Sequence, residues 1–125
     1  MQQSDYYWKV KQYFEAWLKK DGSELKNILA DEIYYSECYG PEYVGIKEVE
    51  QWFYAWNQVG NVLKWEIKKY IEQNNTIIVK WYFECEYEGN RDGFDGVSWI
   101  VFDNEKKICS VKEFQSKKEH YRPYN

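Results

Sequence analysis

Between residues 77 and 87 the chain alternates without a break. Ile77, Val79, Trp81, Phe83, Cys85 and Tyr87 take one parity, and Ile78, Lys80, Tyr82, Glu84 and Glu86 take the other. Successive side chains of a strand point to opposite faces, so this stretch predicts a long strand with one apolar face. Such a strand needs a sheet to sit in and an apolar layer to cover it. The flanking sequence supplies the sheet. Leu63, Trp65, Ile67 and Ile71 alternate with Lys64, Glu66, Lys68 and Tyr70, and Glu72-Gln73-Asn74-Asn75 reads as a turn. Residues 88–93 form a second turn, 94–102 a third strand, 103–106 a third turn and 108–115 a fourth strand. These four strands predict an antiparallel meander.

The first half of the chain supplies the cover, with the helical period instead. Ser4 is a candidate N-cap, Asp5 suits the first turn, and Tyr6, Tyr7, Val10, Tyr13, Phe14, Trp17 and Leu18 share one broad face. With Lys19 and Lys20 in the last turn and Gly22 as the stop, a helix over 5–20 is expected. Ser23 would cap a short second helix carrying Leu25, Ile28 and Leu29. Residues 33–39 read as a strand rich in aromatics, broken by Gly40-Pro41. After Gly45, the positions of Ile46, Val49, Trp52, Phe53 and Trp56 predict a helix that Gly60 ends. Residues 116–125 form a polar, aromatic tail. The order helix, helix, strand, helix and four strands is α+β, with three N-terminal helices on one side of a curved antiparallel sheet; if that sheet wraps around the helices, its concave side and the helix faces enclose a cone-shaped internal pocket. Residues 1–125 fit one domain.

Aromatic residues make up 21% of the chain, including seven Trp and thirteen Tyr, so rings must line either the core or a cavity. A formal charge of −4 offers no counterion release to a nucleic-acid backbone and no attraction to an anionic membrane, so neither is an expected partner. No apolar run approaches the ~18 residues of a membrane span, and the N-terminus lacks the apolar core of a signal peptide. Cys38, Cys85 and Cys109 form no C-x-x-C pair, and the one histidine, His120, lies near the C-terminus. We therefore expect a reduced, cytoplasmic protein with no metal site and no cofactor.

Tyr39-Gly40-Pro41 to Gly45 ahead of a helix with Trp52-Phe53, and Phe102-Asp103 to Ile108 as the last hairpin, resemble the nuclear transport factor 2-like superfamily, in its SnoaL-like and ketosteroid-isomerase-like branch. The resemblance runs over about residues 5–120. Compared with ketosteroid isomerases, it implies Tyr13 at the position of a first-helix donor and Glu37 at that of the base. Ser98 stands where those enzymes carry a second acid. It also implies that Trp81, Phe83, Cys85, Ser98, Ile100, Val111, Glu113 and Gln115 face the cavity. For the first three, alternation gives the same face; on the last strand, Phe114 has the parity opposite to Val111, and a bulge would move the assignment.

Two readings follow. In one, the chain is a cofactor-independent isomerase, cyclase or dehydratase acting on an apolar, ring-containing substrate. Glu37 is then the general base, raised towards neutral pH by desolvation, and Tyr13 and Ser98 donate to an oxyanion. Glu113 orients a polar group or serves as a second acid/base, while Trp52, Trp56, Trp81, Phe83, Cys85 and Gln115 contact the ligand. In the other, the same fold is a non-catalytic ligand-binding or dimeric interaction module, its rings mostly core. The resemblance further implies a homodimer through the convex sheet face, where Ile78, Tyr82 and Tyr70 interrupt a polar surface.

Overall fold

The computed structural model describes residues 4–116 and 119–124. Helices α1 (Asp5–Lys19), α2 (Leu25–Ile28) and α3 (Ile46–Val59) are interleaved with strands β1 (Leu29–Ser36), β2 (Glu42–Val44), β3 (Gly60–Gln73), β4 (Thr76–Tyr87), β5 (Asn90–Phe102) and β6 (Ile108–Gln115). The strands form one sheet in the order β2-β1-β6-β5-β4-β3. The expected meander is present from β3 to β6, with antiparallel pairing throughout. β4 lies between β3 and β5 and carries Ile77, Val79 and Trp81 at 0%, 0% and 1% exposure, as its alternation requires.

The sheet curves because helices at its two ends must share one concave face. α1 packs against β3 at one edge, and α3 against β1 and β2 at the other. Register shifts at Val62/Lys64 and Ile67/Lys69 bend the long strand β3, and another interrupts β1 between Leu29 and Tyr34. The core between helices and sheet is built from rings: Phe14 stacks on Trp65 at 3.8 Å, Tyr6 on Phe102 at 4.0 Å, and Trp17 meets Phe53 at 4.7 Å. No described helix is long and apolar enough to cross a membrane.

Several local expectations are corrected. α1 is capped by Ser4, whose Oγ accepts from the Tyr7 amide, but it ends at Lys20, in the left-handed region with φ 56°. Gly22 does not supply that turn. It passes beneath α3 instead, where a Cβ would stand 2.8 Å from the Tyr54 hydroxyl. Ser23 does not cap α2: its amide donates to Asp21 Oδ1, and Glu24 is the cap residue. β1 starts earlier than expected, at Leu29, and ends at Ser36. The loop closes there because the Glu37 amide donates to Pro41 O and the Gly40 amide to Glu37 O. Those bonds also bring back β2, a short strand the Gly/Pro signal concealed. β1 runs parallel to β6, an arrangement no local pattern announces. On β3, the two bulges shift the faces. Tyr70 therefore points inward onto Tyr7, at 4.9 Å, and Ile71, 63% exposed, takes the outer place expected of Tyr70. On β6 the parity is settled. Val111 is buried, Phe114 is 56% exposed, and Glu113 pairs with Ser98 across the ladder.

Candidate functional site

Strand alternation carries Ile33 and Tyr35 into the core and directs the next residue of that parity, Glu37, inward just past the end of β1. From β6, the neighbouring strand, Glu113 enters the same space. The two carboxylates line an inner chamber with a volume of about 40 Å³. Its walls are the rings of Trp17, Trp52 and Trp56 from the helices and of Trp65, Trp81, Phe83 and Phe94 from the sheet. That volume holds about three water molecules. The chamber opens past Glu37, Tyr39, Trp52 and Trp56 into an outer cleft of about 500 Å³, which Pro41, Tyr43, Ala55, Cys85, Tyr87, Glu88, Asn90 and Asp92 complete.

Each carboxylate is held by a phenol. Tyr43 Oη donates to Glu37 Oε2 at 2.9 Å, and its ring stacks on Trp52 at 4.5 Å and 14°. Tyr35 Oη donates to Glu113 Oε2. Burial among rings disfavours the charged form of both acids. The Glu113 carboxyl is pushed up to about 8, chiefly by burial, against the hydrogen bond from Tyr35 and with a contribution from Glu37. Burial also raises Glu37, opposed by the Tyr43 hydrogen bond. The Tyr35 hydroxyl lies far above its usual range, again through burial and then Glu113, so it remains a donor. A neutral acid and a more readily ionised carboxylate in one apolar chamber can give and take a proton at neighbouring points of a bound molecule.

The other anticipated residues occupy different layers. Tyr13 lies behind the wall, 2% exposed, its ring centre 5.9 Å from Tyr35 and 6.0 Å from Trp65. Its hydroxyl lies close to Tyr35 and Trp17 but, among the described residues, meets no acceptor or donor in good hydrogen-bond geometry. Ser98, 1% exposed, sits beneath Trp81 and accepts from its Nε1 at 2.9 Å. Cys85 lines the outer cleft, whereas Gln115 is exposed and donates from Nε2 to Cys38 O at 3.3 Å. His120 is exposed and within hydrogen-bond distance of Ser116, 2.8 Å away. Among the described residues, no group of three or more His, Cys, Asp or Glu is placed to hold a metal ion. Tyr35, Tyr43 and Trp65 were not anticipated. The alternation that turns Glu37 inward turns Tyr35 inward too, so that residue was legible; nothing local marks Tyr43.

A family model for the SnoaL-like domain matches residues 10–111. The chain belongs to this family. None of the curated proteins is similar in sequence to this SnoaL-like domain. Solved structures share its fold at low identity. A hypothetical protein with a ketosteroid isomerase-like fold from Catenulispora acidiphila, in complex with trimethylamine, is 15% identical, with a TM-score of 0.76 over 86% of this chain and 85% of that one. An LEH-like epoxide hydrolase of M. tuberculosis is 11% identical, with a TM-score of 0.79 over 89% and 82%. An NTF2-like protein of unknown function from Burkholderia pseudomallei is 15% identical, with a TM-score of 0.76 over 91% and 92%. At these identities the likeness is one of fold, and function must be argued from the site.

Proposed function

We propose that this SnoaL-like domain is a small-molecule enzyme of the isomerase, cyclase or dehydratase kind, using carboxylate acid–base chemistry on a ring-containing substrate. One observation carries the reading: Glu37 and Glu113, from separate elements, line one aromatic chamber, each fixed by a phenol. Neighbouring acids pushed to different pKa values divide the roles of acid and base. Glu37 takes a proton. Glu113, neutral until about pH 8, donates to the oxygen on which charge develops. Tyr35 positions Glu113, with Tyr13 behind it, and Ser98 acts through Trp81. The chamber admits only a small reacting head, and the ring of the substrate lies in the cleft against Trp52 and Trp56.

That narrowness favours a second reading, in which the cleft holds a ligand and no reaction follows. The test begins with a thermal-shift screen of ring-containing carbonyl compounds and epoxides, since a ligand of the native state raises its stability. Stabilising compounds are then followed for turnover by wild type, Glu37→Gln and Glu113→Gln. Turnover that is lost in variants still able to bind supports the enzyme. Binding by all three without turnover supports the receptor, and equal turnover by all three removes both carboxylates from the mechanism.

We also propose a homodimer through the convex face. Ile71 faces Ile78, and Ile78 faces Trp99, across adjacent ladders of that face. Ile71, Trp99 and Phe114 there are 63%, 49% and 56% exposed, an apolar patch suited to self-association.

A further inference from the structure

Chamber and cleft meet at a neck. Among the described residues, Glu37, Tyr39, Trp52 and Trp56 line both spaces. Three of these are fixed by what surrounds them. Glu37 is held by the Tyr43 hydroxyl at 2.9 Å. Trp52 packs among Trp17, Tyr35 and Tyr43, with ring centres 4.8, 5.1 and 4.5 Å away. Trp56 meets Trp17 at 5.5 Å and Tyr87 at 5.4 Å, and it lies so close over Gly60 that a Cβ there would stand 3.0 Å from its ring.

Tyr39, the fourth, is 51% exposed, and among the described residues its ring meets only that of Phe94, edge-on at 5.8 Å. Its hydroxyl lies beside the Cys85 thiol and donates to Asp92 Oδ2 at 3.5 Å, beyond the usual length of such a bond. The side chain thus reaches from the β1–β2 loop across to β4 and β5. Behind it the loop tip borders open space: Gly40 has φ 114°, and no heavy atom lies within 4 Å of where a Cβ would stand. The base of the loop is pinned instead. The Glu37 amide donates to Pro41 O and the Gly40 amide to Glu37 O, both at 3.1 Å. The ring of Tyr39 can therefore move while Glu37 stays in place.

In its present position Tyr39 covers Phe94, a residue of the chamber wall that is only 5% exposed, so burial of apolar surface favours the closed neck. A turn of Tyr39 to another staggered rotamer would uncover Phe94 and widen the passage. The chamber of about 40 Å³ takes only a compact head, whereas the cleft of about 500 Å³ takes a whole ring. We propose that Tyr39 is the gate between the two spaces and the residue that selects ligands by size. With its ring in place, a compact head reaches Glu37 and Glu113, and a cyclic body stays in the cleft. The inference rests on the small-molecule reading of the same site and names the side chain that sets its specificity.

The test uses acetone and cyclohexanone, the same carbonyl on a compact and on a cyclic body, with wild type, Tyr39→Ala and Tyr39→Phe. NMR titration reads the indole signals of Trp65 and Trp81 inside the chamber and of Trp52 and Trp56 at the neck. In wild type, acetone should shift both pairs and cyclohexanone the neck pair alone. Tyr39→Ala should let cyclohexanone shift Trp65 and Trp81 and bind about tenfold more tightly, with the affinity for acetone within about twofold of wild type. Tyr39→Phe keeps the ring and should behave as wild type. Thermal unfolding checks that both variants are folded, as expected for a half-exposed residue. Cyclohexanone that already shifts Trp65 and Trp81 in wild type, or that stays out of the chamber in Tyr39→Ala as well, overturns the gate and leaves the small-molecule reading standing. If neither ketone shifts any of the four signals in either protein, the gate and that reading fall together.

Discussion

Replacing Glu113 by Gln should make the protein more stable at alkaline pH and scarcely change it in mild acid. The carboxyl stands at about 8 in the folded chain against a reference of 4.5. Between these values the folded state holds a proton that the unfolded state has released. Stability therefore falls as pH rises through this window, and levels off above the folded value. At roughly 1.4 kcal/mol per pH unit, the whole shift would correspond to about 5 kcal/mol. Glu37 shares the titration and water reaches the chamber through the cleft, so about 2–3 kcal/mol is the realistic loss. Gln keeps the carbonyl that accepts from Tyr35 but cannot ionise. At pH 9 the variant should exceed wild type by that margin, about 6–12 °C in Tm; at pH 5 the two should agree within about 1 kcal/mol. Urea unfolding of both proteins from pH 5 to 9 gives the comparison, and carboxylates that do not couple to Glu113 cancel in the difference. Parallel stability curves across the range would refute the reasoning.

Further outcomes follow from the packing. Gly96→Ala places a methyl 2.3 Å from Trp81 Cη2 and 2.6 Å from Phe114 O, so a loss of about 1–3 kcal/mol is expected in denaturant unfolding; an unchanged midpoint would mean that Trp81 does not lie over that glycine. Ser98→Ala leaves the buried Trp81 N–H without its acceptor and should cost about 1–3 kcal/mol; a variant of full stability that has lost only turnover would instead give Ser98 a direct part in the chemistry. Trp99→Lys puts a charge in the convex apolar patch and should convert the dimer to monomer in sedimentation equilibrium, whereas a wild type that is monomeric at high concentration ends the dimer proposal.

Where burial follows a regular period, the sequence was easily read. The alternation of β4 and the apolar face of α3 located Trp81, Phe83, Trp52 and Trp56 at the chamber. Bulges were invisible because they break the period the reading depends on, and so Tyr70 and Ile71 exchanged faces. The parallel pairing of β1 with β6 joins residues far apart in sequence, and this pairing brings Glu113 to Tyr35. Tyr43 reaches Glu37 only because the Pro41 loop folds back as β2. Tyr13 and Ser98 were placed by resemblance, and a chain with its own set of large rings moves both into the layer behind the wall.

The seven tryptophans provide the most direct test of the central claim that the chamber and cleft are the functional site. Trp17, Trp52, Trp56, Trp65 and Trp81 line the chamber, while Trp8 and Trp99 are 48% and 49% exposed elsewhere. Each contributes one indole N–H signal to a ¹⁵N-resolved NMR spectrum. On titration with a stabilising ligand from the screen, signals of the chamber group should shift together and those of Trp8 and Trp99 should stay in place. Shifts confined to Trp8 or Trp99 would contradict the account.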